Sequence, residues 1–231
     1  GLGDVYKRQV PYGTWIIREI ESPKGYVLSE EEIAVTIGKV DEVVEIELVN
    51  YFIKGNIALT KVDEDYPDNK LSGAVFEVYS DTNGDGKLDK DDTLLGEMKE
   101  LDGGVYQMSE LRYGKYLVKE TKAPTGFVLD ENVYSVSVEE NGKTYTVENK
   151  AGVGFINAAQ KGSLKIVKTS SDGKVEGFSF RVTGVDYDQT FKTDKNGEIV
   201  IEGLRIGDYT VSEVSDKASA CLLYTSPSPR D

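Results

Sequence analysis

Hydrophobic and polar residues alternate in short runs along this chain, and glycine, proline, asparagine and aspartate separate the runs. Successive side chains of a strand point to opposite faces, so the pattern predicts half-buried strands and an all-β fold. Three runs put an unexpected residue on the apolar face. In residues 56–63 (NIALTKVD), Ile57, Leu59 and Lys61 share a face. In residues 116–120 (YLVKE) the shared face carries Tyr116, Val118 and Glu120, and in residues 153–157 (VGFIN) it carries Val153, Phe155 and Asn157. An unpaired charge in a core costs on the order of several kcal/mol. Three such residues close together predict groups that meet and react, a chemistry that serves mechanical strength.

The chain also resembles itself. Residues 50–61 (NYFIKGNIALTK) align with 157–168 (NAAQKGSLKIVK), each running from asparagine through Lys-Gly to lysine. A Gly-x-aromatic-x-x-x-Glu block occurs at Gly13, Trp15, Glu19, at Gly114, Tyr116, Glu120 and at Gly207, Tyr209, Glu213. After the first two glutamates comes Pro-x-Gly-aromatic (Pro23, Gly25, Tyr26 and Pro124, Gly126, Phe127). A third block pairs Gly73 with Gly177 and Phe76 with Phe180. One unit therefore runs lysine strand, Gly-Phe strand, glutamate strand, asparagine strand. Residues 1–51 carry the last part of a unit, with Glu19 and Asn50; residues 53–158 form a complete one; residues 160–219 begin a third, with Lys168 and Glu213. A unit of about 100 residues can enclose a small sandwich core. Linkers of a few residues predict a fairly stiff string.

Taken singly, each unusual residue has a plainer reading. Lys61 could be an edge lysine, Glu120 a carboxylate capping a turn, and Asn157 a residue ending a strand. The repetition of the same phase at Glu19, Asn50, Lys168 and Glu213 argues against that for the set. Both extremes, residues 1–9 and 220–231, lack the pattern and resemble translated sequencing-adapter read-through; the alternative is a natural disordered tail.

Composition narrows the function. A formal net charge of −14 disfavours nucleic acid and anionic membrane as partners and suits a cation. With no histidine in the chain, His-based triads, the usual zinc sets and histidine general bases are excluded, which leaves a hydrolase reading weak. The single cysteine, Cys221, cannot form an internal disulfide, so another staple or a reducing compartment is expected. No apolar run reaches the roughly 18 residues of a spanning helix.

At residues 116–127 the sequence YLVKETKAPTGF resembles the E-box, Y-x-L-x-E-T-x-A-P-x-G-Y, of SpaA-like pilin and collagen-adhesin B-type domains of Gram-positive surface proteins. Val118 and Phe127 depart from it conservatively. The resemblance extends over about residues 10–215. It implies tandem seven-stranded prealbumin-like (Ig-like) sandwiches in which a first-strand lysine and a last-strand asparagine join spontaneously as an isopeptide. Carried over, Lys61 is the nucleophile, Asn157 the acceptor and Glu120 the proton shuttle. The residues suit those roles. Desolvation exposes a neutral lysine amine. A protonated glutamic acid can polarise an amide and hand its proton to departing ammonia. Each unit would act once on itself, so no enzyme in the usual sense is expected.

A second feature lies between Phe76 and Glu120, where the middle unit is eleven residues longer than the third. The excess holds DTNGDGKLDKDD. Read as a twelve-residue loop, it places Asp81, Asn83, Asp85, the Lys87 carbonyl, Asp89 and Asp92 where Ca²⁺ ligands fall, with Gly86 at the sharp turn. Asp92 replaces the usual glutamate and weakens the case for bidentate binding. The plainer reading is a solvated acidic hairpin loop; a dockerin would need two such loops beside helices. No organic cofactor is implied. Residues 30–48 (EEEIAVTIGKVDEVVEIEL) read as a hairpin with a charged outer face, and Asn141–Lys143 (NGK) and Asp194–Glu198 (DKNGE) as tight turns.

The expectation is a fragment of a cell-wall-anchored surface protein, extracellular, whose job is to act as a stalk or pilin-like shaft. Its partners would be neighbouring repeats of the same protein. The alternative is an adhesin module that binds a host protein or polysaccharide directly.

Overall fold

A computed structural model describes residues 10–184 and 186–214. The expectations for residues 1–9, for Cys221 and for residues 220–231 lie outside the described residues. Strands, turns and loops make up the described chain, with no helix. The first unit contributes β1 (Gly13–Arg18) and β2 (Glu32–Ile37). The middle unit contains β3 (Lys54–Asp63), β4 (Val75–Ser80), β5 (Thr93–Glu97), β6 (Lys99–Asp102), β7 (Val105–Arg112), β8 (Gly114–Lys122), β9 (Val133–Val138), β10 (Thr144–Thr146) and β11 (Phe155–Asn157). The third contributes β12 (Lys161–Val167), β13 (Ser179–Gly184), β14 (Tyr187–Lys192), β15 (Glu198–Arg205) and β16 (Thr210–Val214).

The middle unit is a sandwich of two sheets. One has the order β10-β3-β7-β6, with β11 also on β3; the other has the order β5-β4-β8-β9. Seven strands become nine because two are broken. The chain changes sheets at Met98, so that β5 pairs with β4 while β6 pairs with β7. The last strand is interrupted by residues 147–154, and both halves lie parallel to β3. Alternate residues of β3, β4, β7 and β8 meet in one core that includes Ile57, Leu59, Phe76, Val78, Tyr106 and Val118. Phe76 packs edge-on against Tyr106 and Phe155, with ring centroids 5.2 and 5.0 Å apart.

The hairpin expected over residues 30–48 does not form. Among the described residues β2 pairs only with β1, and residues 43–49 form no strand. The corresponding segment of the middle unit, β10, pairs not with β9 but with the lysine strand β3 of the opposite sheet. Residues 10–51 contain no lysine strand, so this arm has no ladder to join. The Asn141–Gly142 turn accordingly carries the chain from one sheet to the other and does not fold it back on itself.

The joints between units are built alike. In each Pro-x-Gly-aromatic segment the aromatic N–H donates to the proline carbonyl, at 3.0 Å for Tyr26 and 3.1 Å for Phe127. Gly25 (φ 87°) and Gly126 (φ 85°) occupy the left-handed position this turn demands. The linker then bonds to both neighbours. Ile53 donates to Gly25 and accepts from Tyr113; Gln160 donates to Gly126 and accepts from Ile206. At the second joint Arg205 also forks onto Asp63 (2.6 and 2.8 Å) and reaches Asp65 (2.8 Å), which Lys161 approaches at 3.1 Å.

Candidate functional site

Lys61, Glu120 and Asn157 come from β3, β8 and β11, so two members lie on neighbouring strands and the third faces them from the other sheet. The alternation of β3 that buries Ile57 and Leu59 also buries Lys61, which is 0% exposed. On β8 the same logic takes Glu120 to 0%, and Asn157 at the end of β11 is 3% exposed. All three sequence-predicted residues meet in the core.

Their polar atoms form a closed set. The Lys61 amine donates to the Asn157 carbonyl oxygen Oδ1. Its Nζ lies 3.3 Å from Glu120 Oε1. The Asn157 amide nitrogen donates to Glu120 Oε1 (3.1 Å) and Oε2 (2.9 Å). Phe155 and Phe76 wall the amine, with ring centroids 4.5 and 5.9 Å from Nζ. Burial draws the Lys61 amine down from its ordinary 10.5 to about 8, partly offset by the Glu120 carboxylate beside it and by Asp130. The arrangement can bring a neutral amine to an amide carbon while a carboxyl stands against both nitrogens.

The partial units repeat the geometry with the members they have. In the first, Asn50 Nδ2 donates to Glu19 Oε1 at 2.7 Å. In the third, Lys168 Nζ lies 2.9 Å from Glu213 Oε2 and 4.7 Å from the Phe178 ring centroid. Cross-strand register is common to both units: Phe76 lies opposite Glu120, and Phe180 opposite Glu213.

The acidic loop lies between β4 and β5. Asp81 is nearly buried, and its two oxygens accept the N–H groups of Gly84 (2.7 Å) and Gly86 (3.1 Å). Asn83 and Asp85 accept from the backbone two residues on, at 2.9 and 2.8 Å. Asp92 accepts from Asp89 (2.8 Å) and Thr82 (3.2 Å), and Asn83 donates to Asp89 (3.2 Å). The loop turns sharply at Gly86, whose φ is 76°. The loop's carboxylates cap backbone N–H groups, and among the described residues no three acidic side chains converge tightly enough to hold a metal.

Sequence reasoning missed Asp130 and Asn149. Asp130 donates its N–H to Glu120 Oε2 at 2.8 Å, and its carboxylate accepts from Asn149 at 2.8 Å. A signal existed: the repeat continues past the aromatic as GYVLSE and GFVLDE, which aligns Ser29 with Asp130.

A family model described as the SpaA prealbumin-like fold domain matches residues 2–51, 55–151 and 162–219, and the chain belongs to that family. Among solved structures, the TIE protein of Bacillus anthracis is similar over 90% of this chain, with 28% identity and a TM-score of 0.70. This chain spans 37% of that protein. A streptococcal ancillary pilin matches over 89% of this chain and 67% of its own length, at 19% identity and a TM-score of 0.34. The minor pilin of Streptococcus agalactiae matches over 71% and 65%, at 24% identity and a TM-score of 0.34. No curated protein matches the chain.

Proposed function

We propose that the chain is part of an extracellular stalk on a Gram-positive cell surface, and that its middle unit closes itself with an isopeptide bond between Lys61 and Asn157. The observation that carries this reading is the enclosure of amine, amide and carboxyl in one dry cluster, with the amine on the amide carbonyl. A proton passes from the Lys61 ammonium to the Glu120 carboxylate, which leaves a neutral amine. Lys61 Nζ then bonds to the Asn157 carboxamide carbon, and Glu120 protonates the departing nitrogen and takes the surplus proton from Nζ. The carbon–Nδ2 bond breaks and ammonia leaves. Lys61 and Glu120 are fully buried and Asn157 is 3% exposed, which disfavours competing hydrolysis.

The link would span 96 positions of sequence. By analogy with a disulfide closing a comparable loop, it contributes about 4–5 kcal/mol through restriction of the unfolded chain. That gives a sandwich without internal disulfides a covalent staple for an oxidising, protease-rich exterior. The SpaA prealbumin-like family assignment and the repetition of the unit along the chain support the stalk reading.

Intact mass spectrometry tests the bond. The wild-type chain should be lighter than its sequence by one ammonia, and Lys61→Ala and Glu120→Ala should each restore the full mass. A wild-type mass equal to that of the sequence would refute the crosslink.

We also propose that Ca²⁺ draws Asp81, Asn83, Asp85, the Lys87 carbonyl, Asp89 and Asp92 together and stiffens the loop. The hard oxygen donors and the curl around Gly86 support this. Calcium should raise the melting temperature of the wild type and leave Asp81→Ala unchanged; equal response of both proteins would exclude the site.

A further inference from the structure

Glu120 is held from a side that the trio itself does not supply. Its Oε2 accepts the Asp130 N–H at 2.8 Å, whereas Oε1 lies 3.3 Å from Lys61 Nζ; Asn157 Nδ2 donates to both, at 3.1 Å to Oε1 and 2.9 Å to Oε2. The Asp130 side chain is fully engaged elsewhere. Its Oδ1 accepts from Asn132 N (3.0 Å) and Nδ2 (2.6 Å), and its Oδ2 from the Tyr134 hydroxyl (2.7 Å) and Asn149 Nδ2 (2.8 Å). Asn149 in turn brackets the backbone of Ile156, accepting from its N–H at 2.6 Å and donating to its carbonyl at 2.9 Å. Ile156 is the residue before Asn157. One carboxylate therefore ties the loop that holds the acid to the strand that holds the amide.

We propose that Asp130, Asn149 and Tyr134 are positioning residues for self-crosslinking, and that the Asp130 N–H selects Oε1 of Glu120 as the oxygen that carries the shuttled proton. This rests on the crosslinking reading above. A carboxylic acid carries its proton on one oxygen, and an N–H donor favours the other as the bare acceptor. With Oε2 taken by the backbone N–H, the proton sits on Oε1, the oxygen 3.3 Å from the amine that gives it up, and the departing nitrogen lies within reach of both oxygens, 3.1 Å from Oε1 and 2.9 Å from Oε2. Bracketing Ile156 fixes the amide carbon against the amine, where small displacements are costly in rate. A cleft of about 340 Å³ lined by Asp130, Tyr134, Asn149 and Asn157 opens at the network and gives ammonia an exit.

The first unit repeats part of this device. Ser29, ten residues after its glutamate as Asp130 is, donates its N–H to Glu19 Oε2 at 2.7 Å, while Asn50 occupies Oε1. The N–H contact is thus common to both units. The carboxylate bracket belongs to the middle unit, because the Ser29 hydroxyl accepts from Glu31 instead.

The test follows ammonia loss over time by intact mass in the full chain, for wild type, Asp130→Ala, Asn149→Ala, Tyr134→Phe and Asp130→Asn. Melting of the same substitutions in a Lys61→Ala background, which cannot crosslink, reports their effect on folding alone. Asp130→Ala and Asn149→Ala should slow crosslinking by about 10- to 100-fold, beyond any loss of folded fraction. Asp130→Asn, which keeps an acceptor oxygen, should recover part of the rate. Tyr134→Phe removes a single bond and should slow it less, and it decides the matter where an alanine variant fails to fold. Folded variants that crosslink at the wild-type rate would overturn this inference and leave the crosslink standing. A wild type that retains its full mass would overturn both.

Discussion

Lys61 is costly to bury while its amine is charged, and the reaction proposed for it removes that cost by turning the amine into an amide. Before the bond forms, the penalty should be visible as a pH dependence of stability. Burial lowers the amine to about 8 in the fold, against 10.5 when exposed. Between those values the unfolded chain binds a proton that the folded chain has lost, so stability rises with pH across the window. Below about 8 both states hold the proton and the penalty is present in full. An Asn157→Ala chain keeps amine and carboxyl but cannot crosslink. Its unfolding free energy should climb by on the order of 3 kcal/mol from pH 8 to 10.5 relative to Asn157→Ala/Lys61→Met, as read by denaturant melts. In the wild type, the crosslinking rate should stay level up to about pH 8 and then fall, because the proton that Lys61 hands to Glu120 and Glu120 to the leaving nitrogen is lost above that value.

At the scale of the element, β11 is three residues long and depends on close approach to β3. Gly154, which leads into it at φ 133°, has the Thr60 carbonyl oxygen 2.8 Å from where a Cβ would sit. Gly154→Ala should cost about 1–3 kcal/mol and move Asn157 off the amine. Thermal melting and the crosslinked fraction would both fall; an unchanged fraction would show that β11 tolerates the shift. This strand also marks what could be read from sequence. Period-two alternation placed Lys61, Glu120 and Asn157 on buried faces because each lies on a strand with a wet side and a dry side. Alternation does not name a strand's partner. On alternation alone residues 43–48 therefore read as the second arm of a hairpin, although the ladder they need is a lysine strand. The change of sheet at Met98 and the Asp130–Asn149 bracket escaped for a related reason: both depend on contacts between residues far apart in sequence, which leave no local period. The acidic loop was legible by composition and spacing, and it does lie between strands.

Across the whole molecule, the units are joined through linker residues bonded on both sides, and the second joint adds the Arg205 fork. Burial would raise the Asp63 carboxyl, but its hydrogen bonds with Arg205 and nearby backbone N–H groups hold it below the ordinary range. Charge-assisted bonds of this kind contribute about 1.5–3 kcal/mol each when partly buried. Arg205→Ala should loosen this joint without unfolding either unit. Trypsin cleavage after Lys161 should then accelerate by at least roughly 5- to 30-fold, the factor that a net loss of only one to two kcal/mol already gives. Unchanged cleavage would mean that the backbone bonds of Gln160 suffice. The parallel seating of β11 on β3 has a last consequence. A pull on the stalk would enter the middle unit along β3, cross at Lys61 to Asn157 and leave at once by the linker. Residues 62–156, with the acidic loop and most of the aromatic core, would hang from that short route as a slack bight, and a protease nick anywhere within them would leave the cable unbroken.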